Sequence, residues 1–283
     1  MSDSIENAVK ASGCSLSGLN SDMYTVCPEK REYYRQKGHV LIKKVFQSVE
    51  LELFRRELRR IMDAFRETRQ PLKDRNTYGK AFLQKGNVWR ESELVREFVF
   101  SRRLAGIVSQ LSGQERIRLY HDQALFKEAG GGHTPWHQDQ FYWPMDTGEA
   151  VTVWMPLMDL GPEHGLMKYV SASHLGGSVR DIGISDDSHS YLQQWIDRRK
   201  AEIWQPNMLE AGDAVFHNGW CIHSAEPNQS DQMREVMTVI YFPDGCRLLE
   251  PDHEARRIDM EVFFPGRRGG DPADSSLTPL LFP

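Results

Sequence analysis

Cysteine is scarce in this chain of 283 residues. The four present, Cys14, Cys27, Cys221 and Cys246, include no Cys-x-x-Cys pair. A zinc ribbon and a dithiol redox centre are therefore excluded, and a disulfide framework is not expected at this length. No apolar run approaches a membrane span, and the first residues lack the basic-then-apolar pattern of an export signal. A basic stripe is also missing: the net charge is −5 and the pI ≈ 6.1. The longest basic cluster, Arg55-Arg56 to Arg59-Arg60, alternates with Glu52 and Glu57 in a helical pattern, as a solvated face does. These absences argue against nucleic acid or membrane as a partner. A soluble, cytoplasmic protein is expected, a monomer or homodimer acting on a small molecule.

Helical patterns come first along the chain and strand patterns later. Residues 1–27, rich in Ser, Asn and Gly, read as a flexible arm, with 28–283 as one domain. Pro28 opens a short helix that Gly38 closes, and His39–Phe46 reads as a strand. Ser48 is expected to cap a helix whose Leu51, Phe54, Leu58, Ile61, Met62 and Phe65 form a core-facing stripe. Residues 70–88 read as a polar loop, a candidate lid, and Glu91–Leu111 as one more helix. Strands are expected at 116–127, 150–157, 166–170, 214–217 and 233–242, with one helix at 191–200 and a loop from Pro265. The expected fold is mainly β with flanking helices, an α+β arrangement built on a jelly roll. Its helical flank covers about 28–113, its core about 114–245 and its tail 246–283.

The organising stretch is Thr134-Pro135-Trp136-His137-Gln138-Asp139-Gln140-Phe141-Tyr142-Trp143, which alternates after Gly130-Gly131-Gly132 as a strand entered from a turn does. Residues two apart on a strand share a face, so His137 and Asp139 emerge side by side. An imidazole and a carboxylate so placed are two of the three ligands of a non-haem Fe(II) facial triad. A His-x-Asp/Glu triplet arises roughly once by chance in such a composition, so a third ligand and further parts are required. Downstream, the segment from Gly212-Asp213 to Pro227-Asn228 offers His217 and His223. Arg234 follows at the start of the last strand, where its fork could grip the far carboxylate of a dicarboxylate cosubstrate.

Trp136-His137-Gln138-Asp139, Gly212-Asp213 leading to His223, Asn228 and Arg234 together resemble the phytanoyl-CoA dioxygenase family, Fe(II)- and 2-oxoglutarate-dependent oxygenases on the double-stranded β-helix, or cupin-like, fold. The resemblance runs from Tyr34–Phe46 to Gly269-Gly270-Asp271-Pro272. It implies that His137, Asp139 and His223 ligate iron and that Arg234 pairs with the C5 carboxylate of 2-oxoglutarate. Gln123, Lys127, Thr152 and Trp154 would line the cosubstrate pocket. The implied reaction consumes O₂ and 2-oxoglutarate, releases succinate and CO₂, and hydroxylates an unactivated C–H bond. Asp139 stands where related halogenases carry Gly or Ala.

Two departures from the family pattern, His164 and Ser171-Ala172-Ser173-His174, lie away from the iron. A third puts a hydrogen bond in question, because Ala225 holds the place of a Ser that helps the arginine. His217 is expected to support the ligands, and Cys221 to be buried filler. His133, Phe141, Tyr142 and Trp143 are candidate substrate contacts, with Trp89 and Trp220 near the same mouth. Lys127, Lys168, His133 and Arg90 could recognise an anionic head group, and the substrate class expected is a small polar metabolite, anionic or zwitterionic. One reading of another class and one variant of the same chemistry remain at this point. A metal- or ligand-binding jelly roll without turnover would not require Arg234 together with a full triad, and desaturation or cyclisation would use the same triad.

Overall fold

Strict alternation along three long strands divides this molecule into two layers with a cavity between them. The computed structural model describes residues 23–282. Strands β5 (Val151–Pro156), β8 (Ala214–Asn218) and β10 (Arg234–Pro243) lie in a seven-stranded sheet with β1 (His39–Ile42), β2 (Leu83–Gly86), β3 (Ile117–Lys127) and β11 (Leu280–Phe282). The order is β1-β8-β5-β10-β3-β11, and β2 also pairs with β3. A smaller sheet has the order β4-β9-β6-β7, from Thr134–His137, His223–Ala225, Met167–Val170 and Ile203–Trp204. On β5, Val151, Val153 and Met155 enter the apolar core against the helices, while Thr152 and Trp154 face the cavity. On β10, Met237, Val239 and Tyr241 point to the helices, and Arg234, Thr238 and Ile240 to the cavity. A period of two thus sorts the greasy residues to one side and the chemistry to the other.

Helices α1 (Pro28–Lys37), α2 (Ser48–Glu67), α4 (Glu93–Val99) and α5 (Arg102–Ser112) contribute to the core on the outer face of the large sheet. The stripe on α2 is buried from Leu51 to Met62, with Phe54 against Phe98 at 4.9 Å, while Phe65 in the last turn is half-buried. Glu235, buried on the helix side of β10, accepts from Arg55 at 2.7 Å and from Arg59 at 2.5 Å, which ties α2 to the strand that carries Arg234.

Several boundaries differ from the sequence pattern for identifiable reasons. Strand β1 stops at Ile42 because Lys44 takes φ 53° and gives its N–H to Asp213 Oδ1, while Val45 and Phe46 donate to Gly212 O. Gly212 itself sits at φ +96°, where a Cβ would lie 2.1 Å from the Phe46 carbonyl oxygen. The capping position of α2 is Gln47, whose N–H is received by Glu50, and Ser48 is the first helical residue. The helix expected over 91–111 is two, broken at Phe100-Ser101, where the Ser101 hydroxyl caps α5.

The polar loop expected at 70–88 contains α3 (Thr77–Ala81) and β2, which closes one flank of the cavity. Helix α6 (Asp186–Arg199) begins five residues before the expected start, with Ser185 as its cap. The stretch expected as loop from Pro265 ends in β11, paired with β3, and ahead of it α7 (Glu254–Phe263) packs on the core strands. Of the arm expected over 1–27, residues 1–22 lie outside the described residues. Val26 is buried in the core, and its N–H donates to Gln110 on α5.

Gly212→Ala is expected to lower stability by about 2 kcal/mol or more, because a side chain there is both strained and in collision. A shift of the urea midpoint at unchanged slope would measure it.

Candidate active site

Strands β4 and β9 pair so that His137 lies directly across from His223, and their rings meet at 4.1 Å between centroids. The strand expected through Trp143 in fact ends at His137, and Asp139 starts a short 3-10 turn. Gln138 between them stays extended at φ −123°, ψ 125°, so the two-residue alternation still turns Asp139 to the side of His137. Its amide is clamped outward: Nε2 donates to Gly177 O and Trp220 O, and Oε1 accepts from Val179 N.

Each histidine ligand is oriented from behind. His137 Nδ1 lies 2.8 Å from Pro135 O, and His223 Nδ1 lies 2.9 Å from Cys221 O. A ring nitrogen facing a carbonyl must carry the proton, which leaves Nε2 of both rings as a free lone pair. Those Nε2 atoms stand 3.5 and 3.6 Å from Asp139 Oδ1, and the three ligand atoms lie within 4.8 Å of one another. The other oxygen, Oδ2, accepts from Thr152 Oγ1 at 3.0 Å and from His217 Nε2 at 3.2 Å. His217 is thus hydrogen-bonded to the carboxylate and lies outside the group formed by His137, Asp139 and His223. Burial pushes the Asp139 carboxyl up, but the neighbouring imidazoles of His223, His137 and His217 outweigh it and hold the group well below its usual range. Burial, aided by His137, holds His223 well below the ordinary imidazole value, so it presents a neutral ligand. Two neutral imidazoles and one carboxylate oxygen on one side of a cavity suit a divalent iron with open positions.

The cavity holds about 400 Å³. Beyond the triad lies Arg234, 1% exposed, whose Nη1 donates to Gly165 O at 2.5 Å and whose Nε has no partner. Trp154 lies under the guanidinium, with its ring centroid 5.5 Å from Cζ. Burial brings the Arg234 pKa down to about 10, so the group stays charged at neutral pH, and no carboxylate among the described residues contributes to that value. An unpaired buried guanidinium is costly, and an anionic ligand offsets that cost. Thr134 faces the same cavity with an unpartnered hydroxyl, directly across the strand from Ala225. The hydroxyl missing at Ala225 is thus available from β4, while Ser224 lines an outer pocket. With Leu125 and Met167 as apolar walls, the residues present fit a dicarboxylate whose one end meets iron and whose other end meets Arg234.

The remaining expected residues divide cleanly. Gln123, Thr152, Trp154, Tyr142 and Trp143 line the cavity. Lys127 does not: it is fully buried beside Arg234 and donates to Gly132 O and Glu226 O. Burial, reinforced by Arg234, lowers its pKa to about 6. His133 and Lys168 line a separate outer pocket, where Lys168 pairs with Glu226. Phe141 stacks on His253 at 4.2 Å, outside the cavity lining. Trp89 packs on Phe100 and Trp220 stands beside Gly148, and neither lines the cavity, nor does Arg90. Cys221 is buried filler, as expected. Tyr78, Phe82, His121, Asp259 and Phe263 also line the cavity, brought there by long-range packing that no local motif signals.

The family model for phytanoyl-CoA dioxygenase (PhyH) matches residues 34–236, most of the chain. The chain belongs to the phytanoyl-CoA dioxygenase family. Within this family it is similar to phytanoyl-CoA dioxygenase domain-containing protein 1 of Danio rerio, at 30% identity over 50% of each chain. It is also similar to a probable alpha-ketoglutarate-dependent hypophosphite dioxygenase of Stutzerimonas stutzeri, at 22% identity over 75% of this chain and 77% of that one. Among solved structures it resembles SnoK, a non-haem alpha-ketoglutarate-dependent carbocyclase from nogalamycin biosynthesis. There the identity is 25%, the TM-score 0.73, and the coverage 92% of this chain and 99% of the other. The jelly-roll fold of these oxygenases is the fold described above. The Danio rerio match spans half the length of that relative. Iron and 2-oxoglutarate are the metal and cosubstrate that this phytanoyl-CoA dioxygenase family site fits.

Thr152→Val and His217→Phe each remove one hydrogen bond from Asp139 Oδ2. Both are expected to weaken Fe(II) binding about tenfold, as loss of a ligand's supporting partner does, in a calorimetric titration without oxygen.

Proposed function

We propose that this protein is an Fe(II)- and 2-oxoglutarate-dependent oxygenase that hydroxylates a C–H bond of a small metabolite. The observation that carries this reading is the pairing, in one cavity, of a carboxylate-bearing triad with a buried arginine that has no carboxylate partner among the described residues. A jelly roll that merely holds a metal has no use for such an arginine.

Arg234 and Thr134 would bind the C5 carboxylate of the cosubstrate, and Trp154, Leu125 and Met167 would enclose its methylenes. His137, Asp139 and His223 would hold the iron, leaving positions for the cosubstrate's other end and for O₂. Iron and 2-oxoglutarate supply the activation of O₂ that couples decarboxylation to succinate and CO₂ with oxidation of the substrate. The chain's own residues then have three tasks. Thr152 and His217 keep Asp139 Oδ2 occupied, so that Oδ1 faces the metal. Trp154 and the aromatic walls exclude water from the guanidinium. Tyr142 and Trp143, which follow the triad turn, bring the substrate wall within reach of the same centre.

Hydroxylation is favoured over halogenation because the Asp139 carboxylate fills the place a chloride would need. The name of SnoK includes cyclisation, so the outcome after C–H oxidation depends on how the substrate is held. The substrate class is a small molecule and not a CoA thioester. Arg234 is the sole Lys or Arg among the described residues lining the cavity, which offers no groove for a nucleotide phosphate.

Titration of the purified protein with Fe(II) and then 2-oxoglutarate, without oxygen, is expected to give a weak visible charge-transfer band that needs both additions. It should vanish in Asp139→Ala and His223→Ala. In Arg234→Gln the band should require about 100-fold more 2-oxoglutarate, and in Thr134→Val about fivefold more. No band in the wild-type protein would overturn this reading.

A further inference from the structure

Away from the triad, the cavity is closed by Tyr78, Phe82 and Gln84 on one flank, by Tyr142 and Trp143, and by Asp259 and Phe263 of α7. A β-bulge prepares this end. The register between β10 and β3 shifts so that Ile240 pairs with His121 and Tyr241 with Leu119, leaving Tyr120 as the extra residue. The shift changes the phase of β3: Leu119 joins the helix-side core, yet His121, Gln123 and Leu125 line the cavity. Two consecutive residues can then serve one end of the site. Tyr120 donates its hydroxyl to Asp259 Oδ2 at 2.6 Å, and His121 stacks on Phe263 at 4.7 Å and 14°. One bond from Tyr120 leaves most of the carboxylate's accepting capacity free for a second donor. His121 is 4% exposed, and its Nδ1 has no hydrogen-bond partner.

The charges at the two ends do not balance. Among the described residues lining the cavity, the Asp, Glu, Lys and Arg side chains are Asp139, Arg234 and Asp259. Charges on a divalent iron, Asp139, a dianionic cosubstrate and Arg234 cancel. Asp259 is left over, half-buried and facing the volume that the substrate must fill. Lys168 and Arg90, the cations suited to an anionic head group, lie outside the cavity lining. Tyr142, Trp143 and Phe263 line the same volume, and aromatic rings so placed favour a cation.

We propose that Asp259 is the substrate-recognition residue and that it takes a protonated amine, so that the substrate spans from an ammonium at α7 to the C–H bond presented to the triad. This rests on reading the cavity as an Fe(II)/2-oxoglutarate site. It narrows the substrate class to amines and zwitterions whose cationic end leads. Burial pushes the Asp259 carboxyl up to about 6 despite the Tyr120 hydrogen bond, a penalty that a bound ammonium removes.

The test compares 2-phenylethylamine, 2-phenylethanol and 3-phenylpropionate by calorimetry on protein loaded with Fe(II) and 2-oxoglutarate without oxygen. The charge-transfer band is recorded for every sample. The amine is expected to bind at least about tenfold tighter than the alcohol, and the carboxylate weakest, as a charge-assisted hydrogen bond requires. In Asp259→Asn the preference should collapse to about onefold, and Asp259→Glu should restore part of it, with the band unchanged in both. Equal binding of amine and alcohol, a preference for the carboxylate, a preference that survives Asp259→Asn, or no binding of any probe at millimolar concentration, each with the band present, would overturn the inference alone. Absence of the band in the wild-type protein would overturn the underlying reading and the inference with it.

Discussion

Asp139 Oδ2 takes one hydrogen bond from Thr152 and another from His217, and much of the architecture serves to keep those two donors in place. Thr152 and His217 sit on β5 and β8, and the two residues are register partners in the large sheet. The carboxylate they hold comes from the turn after β4, at the edge of the small sheet. A single side chain therefore fixes the spacing of the two layers at the one point where chemistry needs it fixed. The helices matter at one remove. They bury the opposite face of β5 and β8, so that Val153 and Phe216 cannot turn inward and Thr152 and His217 must.

The layout of charge follows the same economy. Lys127 and Arg234 are paired across β3 and β10, and burying two cations side by side would be very costly. The lysine yields: its pKa falls to about 6 and its amine is satisfied by two backbone carbonyls, while the guanidinium keeps its proton. The positive end of the cavity is thereby reduced to a single planar fork with an unused N–H. Such a fork suits a carboxylate better than a phosphate cluster or a metal would.

Much of this was legible in the sequence, and the legible parts share a cause. His137 and Asp139 are two apart on an extended backbone, and Arg234 opens a long, largely apolar strand, so local geometry places them. The jelly roll followed from short alternating strands after residue 114. What stayed hidden depends on contacts between distant segments. Residues 70–88 look like a polar loop because β2 is short, yet pairing with β3 makes it a wall of the cavity. The break at Ser101 is invisible in a periodic apolar run, since a serine cap costs the pattern only one position. Thr134 and Asp259 carry no local signal at all: one is exposed to the cavity by its register with Ala225, the other by a helix in the presumed tail. Lys127 misled in the other direction, because a basic residue on a pocket strand can satisfy itself with carbonyls.

The register of β4 on β9 has a further consequence. These strands form few paired positions, Thr134 with Ala225 and His137 with His223, with an irregularity between them. An ion held by both histidines would act as a cross-link between two segments that are remote in the chain, at a place where the ladder is thin and irregular. The small sheet would then depend on the metal for its cohesion, whereas the large sheet, backed by helices, would not. Loss of iron would be felt first as local opening of β4 and β9, with the rest of the barrel still closed.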